Sequence, residues 1–210
     1  MSDTKRGAGI MRAHSSLPME VMSSMPAFPV EGLTTDRLLV RPVGMGDAAA
    51  VLAYHSRNRA HLQPWEPLRG DDFYSLAATQ VRVASAVAAK HAGIGVHLLL
   101  LARESGELIG TCDFSNMIFG VFQACHLGFS VSANSQGQGY MREGVGRAIE
   151  EVFARFDLHR IMANHRPENL RSANLLHSLG FEREGLARSY LKINGVWTDH
   201  VLNAKINPNH

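Results

Sequence analysis

From Leu33 onward the chain switches between two hydrophobic periods, and each switch marks a new element. Thr34–Pro42 has the period of a strand, with Leu38 and Val40 alternating against Arg37, Leu39 and Arg41. Asp47 is placed to cap a short helix through Tyr54, and an irregular connection, Asn58–Pro67, follows with Pro64-Trp65-Glu66-Pro67 in it. A second helix is predicted over Phe73–His91. Phe73, Ala77, Val81, Ala84, Val87, Ala88 and His91 lie on its apolar face, and Gly93 ends it.

Three strands come next, Val96–Arg103, Glu107–Ile118 and Phe122–Ser132, with turn residues Ser105-Gly106 and Gly120 between them. The loop Ala133–Gly139 leads into a helix to Phe156, whose stripe is Met141, Val145, Ala148, Ile149, Val152 and Phe156. Arg160–Asn164 reads as a strand and Asn169–Leu179 as a helix stopped by Gly180. Phe181–Ile193 and Val196–Ile206 form a hairpin around Asn194-Gly195. Short turns predict antiparallel neighbours early in the chain. The helical crossover from Ser132 to Arg160 predicts one parallel pair in the middle. The expected fold is a single α/β (α+β) domain: a mixed, mostly antiparallel central sheet with helices on both faces.

Residues 1–32 differ in texture. They carry Ser, Gly, Pro and scattered Met without either period, and read as a flexible extension to a domain spanning 33–210. They lack the apolar stretch of about 7–15 residues that a signal peptide needs. No run approaches the roughly 18 apolar residues of a membrane span, so a cytoplasmic protein without a membrane partner is expected. A formal net charge of +2 gives no argument for direct nucleic-acid binding. The two cysteines, Cys112 and Cys125, sit in predicted strands without metal-type spacing, and read as small buried hydrophobes. Eleven histidines form no paired ligand pattern, so no metal is expected.

Two segments carry chemistry. Gln136-Gly137-Gln138-Gly139-Tyr140-Met141 is a glycine turn opening a helix, where free backbone N–H groups at a positive terminus suit a pyrophosphate. Pro167-Glu168-Asn169-Leu170-Arg171-Ser172 places an Asn and a Ser at the start of the next helix. Together they resemble the acyl-CoA site of the GNAT N-acetyltransferases. Asn58-Arg59, Leu62, the Pro64–Pro67 stretch, Phe114-Ser115-Asn116, Ala124-Cys125, His159–Asn164 and the Tyr190–Leu202 hairpin are similar to the RimJ-type branch. That branch acetylates the amino-terminal alanine of a ribosomal protein.

The resemblance implies acetyl-CoA as co-substrate, held by Gln136, Gly137, Gln138, Gly139, Tyr140 and Met141 at its pyrophosphate. Phe129, Ser130 and Val131 would run beside its pantetheine arm, with Asn169 and Ser172 nearby. Met141 stands where the family turn has a small residue, which works if its side chain points into the core. Catalytic roles fall to Ser172, as donor to the departing thiolate, and to His126 or Glu66 as general base. His126 occupies the strand position where many relatives have Glu. As local structure alone, Asn169 and Ser172 would be an N-cap and a first-turn hydroxyl. Trp65, Glu66, Asn116 and Tyr190 would shape the acceptor site.

The implied acceptor is a protein amino terminus, the alanine of the fifth small-subunit ribosomal protein. A small amine as acceptor, or a non-catalytic acetyl-CoA-binding role in ribosome assembly, stay open. The demand on a base is small for a peptide amine. With a pKa of about 7.7–8.0, roughly a tenth is neutral at pH 7, and deprotonation costs about 1.4 kcal/mol against about 4–5 for lysine.

Overall fold

The computed structural model describes residues 28–210; residues 1–27 of the predicted extension lie outside the described residues. Phe28, within the predicted extension, is buried in the main core. Eight strands form one sheet in the order β1-β2-β3-β4-β5-β6-β8-β7. They are β1 Leu33–Thr34, β2 Leu38–Pro42, β3 Val96–Ala102, β4 Leu108–Ile118, β5 Ala124–Val131, β6 Arg160–His165, β7 Glu182–Ile193 and β8 Val196–Ile206. Helices are α1 Ala48–Arg57, the single turn α2 Arg59–Leu62, α3 Leu76–His91, α4 Tyr140–Phe156 and α5 Leu170–Ser178. Every strand pair is antiparallel except β5 with β6, as the long crossover through α4 requires.

Alternation along the strands divides the core in two. Leu98, Leu100, Cys112, Phe114 and Leu127 point to the face covered by α4 and α5, where Val145, Ala148 and Val152 are fully buried. Leu99 points the other way, into a smaller cluster with Val43, Val51, Tyr54 and Val83 under α1 and α3. Each fully buried Val or Leu contributes about 1.5–3 kcal/mol of transfer free energy. The larger cluster therefore does most to hold the sheet.

Three local expectations need correction. Asp47 does not cap α1 with its side chain; its carboxylate takes Arg41 Nη1 and Nη2 at 2.7 Å and the Gly44 N–H at 2.7 Å. A fixed guanidinium two strand positions before the loop offers that carboxylate a stronger bond than a helix N–H does, and holds it below the usual carboxylate range. The second helix begins at Leu76, with Ser75 Oγ accepting from Ala78 N–H, because Asp71–Tyr74 is a separate 3-10 turn. Its buried face is also rotated from the predicted one: Thr79 and Val83 are inside while Val81 is 67% exposed. The helix is rich in alanine, so several stripes are nearly equivalent by period. Thr79 can be inside because its hydroxyl donates to Ser75 O at 2.8 Å.

Candidate active site

The parallel pairing of β5 and β6 lasts only from Ala124 to His126 against Arg160 to Met162. Beyond it the strands part, and Phe129, Ser130 and Val131 have no partner on that side. Into the gap come the start of α4 from one direction and the start of α5 from the other. The result is a cavity of about 620 Å³ between the β5 edge, the glycine turn and the α5 terminus, a volume within the usual range for small-molecule sites.

The turn is shaped by two left-handed glycines, Gly137 at φ 72° and Gly139 at φ 81°. Residues with a Cβ rarely adopt this region, and the conformation turns successive N–H groups toward one concave surface. Arg37 and Glu143 brace it from behind. Glu143 Oε1 accepts from Thr35 Oγ1 at 2.6 Å and from the Arg37 N–H at 2.8 Å, while Arg37 Nη1 donates to Gln138 O at 2.9 Å. The Arg37 guanidinium also lies 4.4 Å from the Tyr140 ring centroid. Met141 packs against the main core, as its stripe position predicts.

At the opposite wall Asn169 caps α5, its Oδ1 accepting from Ser172 N–H at 3.1 Å. Both residues line the cavity, so the cap and the site coexist. Gln136 spans the mouth, donating to His61 Nε2 at 3.0 Å and accepting from Arg171. The Trp65-Glu66 loop closes the far end. Arg166 Nη1 donates to Pro64 O at 2.9 Å, and the hairpin turn pins the loop through Asn194 N–H to Glu66 O at 2.9 Å. Burial pushes the Glu66 carboxyl above its ordinary range, with Arg69 opposing, which makes it a stronger proton acceptor when ionised.

Of the residues singled out from sequence, Trp65, Glu66, Phe129, Ser130, Val131, Gln136, Gly137, Gly139, Tyr140, Met141, Asn169 and Ser172 line this cavity. Gln138 does not; its carbonyl goes to Arg37 and its amide to Asn134 O at 2.7 Å. Three expected members stand elsewhere. His126 is on β5 but does not line this cavity, with its Nδ1 buried and unpartnered and its pKa pushed down by burial. Asn116 sits at φ 51° where the β4–β5 register shifts, a bulge position that Asn tolerates. Tyr190 is on β7 with its ring 5.8 Å from His200.

Sequence reasoning missed His61, Arg142 and Glu168, which also line the cavity. Arg142 follows the glycine turn and could have been found from it. His61 could not, because its place depends on α2. Burial raises the pKa of both thiols, Cys125 to about 12, which disfavours the thiolate form. Among the described residues no group of side chains could hold a metal ion, and no helix is long and apolar enough to cross a membrane.

A glycine turn, a split parallel pair and an N-capped helix meeting at one cavity define an acyl-CoA-type site on a mixed sheet. Residues 37–182 match the Acetyltransferase (GNAT) domain, and the chain belongs to this acetyltransferase family. It is 42% identical over 180 residues to the [Ribosomal protein uS5]-alanine N-acetyltransferase of Escherichia coli (strain K12), covering 86% of this chain and 93% of that one. The structure of a ribosomal-protein-S5-alanine acetyltransferase from Vibrio fischeri superposes with a TM-score of 0.81 at 37% identity, covering 84% of this chain and 97% of the other. Mycobacterium smegmatis RimJ, solved in complex with CoA-disulfide, gives 0.77 at 28% identity, with 88% and 87% covered.

Proposed function

We propose that the protein transfers the acetyl group of acetyl-CoA to a protein α-amino group, that of the amino-terminal alanine of ribosomal protein uS5, in the cytoplasm. The observation that carries this reading is the cavity between the β5 edge and the two helix starts, with the Trp65-Glu66 loop at its far end. The 42% identity over most of both chains supports the same acceptor.

The residues present fit acetyl-CoA. Left-handed Gly137 and Gly139 offer main-chain donors at the start of α4, where a pyrophosphate gains from the helix dipole. The unpaired edge of Phe129, Ser130 and Val131 offers main-chain groups for an amide-bearing arm, and an N–H there polarises an acyl carbonyl. Acetyl-CoA supplies the activated acyl group. Ser172 holds a hydroxyl on the opposite wall, suited to giving a proton to a departing thiolate. For the base, Glu66 is favoured over His126: it lines the cavity, whereas His126 does not, and its desolvation raises its basicity. Trp65 shapes the acceptor end.

Incubation with acetyl-CoA and a panel of acceptors tests the reading. An Ala-initiated uS5 peptide is expected to be acetylated far faster than free alanine, spermidine or an internal lysine, with mass spectrometry placing the group on the α-nitrogen. Preferential modification of a polyamine or of lysine side chains would overturn it in favour of a small-amine enzyme.

A further inference from the structure

The free edge of β5 poses a mechanical problem. Phe129, Ser130 and Val131 must stay unpaired on the β6 side to serve a ligand, so strand pairing can hold them from one side only. β4 does this, with Thr111 opposite Ser130 and Gly110 opposite Val131. A segment with partners along one edge opens more easily than one inside a sheet. Main-chain donors that stabilise developing charge have to be fixed in place before the reaction.

Side chains from the end of α1 supply the missing hold. Tyr54 is fully buried, and its Oη lies 2.8 Å from Ser130 Oγ. Ser130 Oγ is also 3.0 Å from Thr111 Oγ1, so three hydroxyls form a chain across β4 and β5. Burial raises the Tyr54 pKa, and the phenol keeps its proton for this chain. One helical turn on, Asn58 ends α1 and is 5% exposed. Its Nδ2 donates to Tyr54 O at 2.8 Å, and its Oδ1 accepts from Ala133 N–H at 3.0 Å. The first partner can only accept and the second can only donate, which fixes the orientation of the amide. Asn58 therefore ties α1 to the residue that leads from β5 into the glycine turn.

On this face of the sheet, beneath α1 and α3, lies a second cavity of about 400 Å³, with His97 of β3 contacting Asp113 of β4 in its lining. It shares Glu66, Phe129 and Ser130 with the first. Ser130 thus stands between two open spaces, where packing alone does not fix it and the bonds to Tyr54 and Thr111 do.

We infer that Tyr54 and Asn58 are positioning residues for acetyl transfer: from the end of α1 they brace the β5 edge at Ser130 and Ala133, holding its main-chain groups in one place toward the co-substrate cavity. This rests on the acetyl-transfer reading above and adds what keeps the polarising donor still. Neither side chain lines the co-substrate cavity, so both act through the strand. The brace also gives a physical role to Asn58, which the sequence motif singles out without assigning one. A misplacement of about 1 Å can cost on the order of a hundredfold in rate. Binding is spread over the turn and the edge, so loosening one anchor lowers rate before it lowers affinity.

Two variants test the brace. Tyr54→Phe removes one hydroxyl at nearly constant volume and leaves Ser130 its Thr111 partner. Asn58→Ala removes the other anchor, and in the ligand-free protein the Ala133 amide hydrogen is expected to exchange about tenfold faster. For Tyr54→Phe, infrared spectroscopy follows bound acetyl-CoA with an isotope-labelled acetyl carbonyl, without acceptor. A donated hydrogen bond weakens the C=O bond, so wild-type binding lowers its stretching frequency, and the variant is expected to return the band toward the free position. With an Ala-initiated uS5 peptide, kcat should fall about tenfold, while calorimetry finds acetyl-CoA affinity changed less than about twofold. Wild-type kcat with an unmoved band in Tyr54→Phe overturns the brace. So does a lower kcat with an unmoved band, because the hydroxyl would then serve the fold alone. If Asn58→Ala does not fold, Tyr54→Phe decides. A wild-type protein that shows the lowered band but acetylates no peptide α-amine removes the proposed acceptor and leaves the brace standing.

Discussion

The two cavities meet at β5 but are built from different materials. The one between α4 and α5 is made largely of main chain: a left-handed glycine turn, an unpaired strand edge and an N-capped helix start. The one beneath α1 and α3 is made largely of titratable side chains: His97 of β3, Asp113 of β4, His55 of α1, Arg82 of α3, and Glu66 and Arg69 of the connecting loop, set against an apolar wall. Main-chain donors are available to any chain that can adopt the conformation, so the first site depends on a few residues close in sequence. The second depends on pairs such as His97 and Asp113, which adjoin only because β3 and β4 pair in one register. A binding site for a shared co-substrate suits the first construction.

The largest effect should come from breaking the main-chain site. Gly139→Asp places a Cβ on a residue at φ 81° and a carboxylate where phosphates are expected. Left-handed strain of about 1–3 kcal/mol adds to the repulsion. Calorimetry should show acetyl-CoA binding weakened by about a hundredfold or more, and a folded variant losing less than about tenfold would contradict the assignment.

Next is the group shared by both cavities. Glu66→Gln should lower kcat/KM for the peptide by about a hundredfold, within the usual range for a general base, and leave acetyl-CoA affinity nearly intact. Burial raises the Glu66 pKa, so the active, ionised form is lost as pH falls through that raised value. The acid limb due to Glu66 should vanish in the variant, while the limb due to the substrate amine remains and moves with the amine's own pKa. His126→Gln is the matched control. It should retain most of the rate, and a loss as large as that of Glu66→Gln would restore the histidine as base.

Ser172→Ala sharpens the first site by separating rate from binding. The Asn169 cap bonds the Ser172 main chain and not its hydroxyl, and Ala is a better helix former, so α5 should persist. Turnover should fall about tenfold with acetyl-CoA affinity little changed. Equal losses in both would indicate that the hydroxyl positions the co-substrate instead.

The last effect is on stability and reports on the second region. His55 lies at the wall of the α1/α3 cavity. Burial first, then the positive Arg82, His97 and Arg69, push its pKa down to about 4. A depressed imidazole contributes stability that is full above its unfolded pKa of about 6.5. That contribution is lost as pH falls toward 4, because the unfolded chain takes the proton first. His97 acts in the opposite sense: burial lowers its pKa, but Asp113 raises it by more, so its contribution fades as pH rises through the raised value. Denaturant titrations should show His55→Gln less destabilised than the wild type between pH 6.5 and pH 4, by about 1–3 kcal/mol. Parallel curves for the two proteins would mean that His55 is not held neutral by the fold.

By itself the sequence determined the order of elements, the single parallel pair and the main-chain site. Each rests on local information: period two or 3.6, turn residues such as Asn194-Gly195, and glycines whose freedom is needed at the start of α4. The stripe of Val145, Ala148, Ile149 and Val152 was legible because alternatives would expose large apolar surface. The face of α3 was not, because alanines leave several registers nearly equal, and a buried Thr79 needed its own hydroxyl bond to settle which. Glu66 and Trp65 could be recognised as a motif, but the hairpin turn and Arg166 set their position at the end of the cavity. His126 stood out on its strand, yet the tertiary structure left it outside both cavities, and brought forward His97 and Asp113, which have no sequence signature at all. Strand pairing decides which side chains share a face and which helices cover them. Charged pairs that arise only from cross-strand register are therefore invisible until the sheet is assembled.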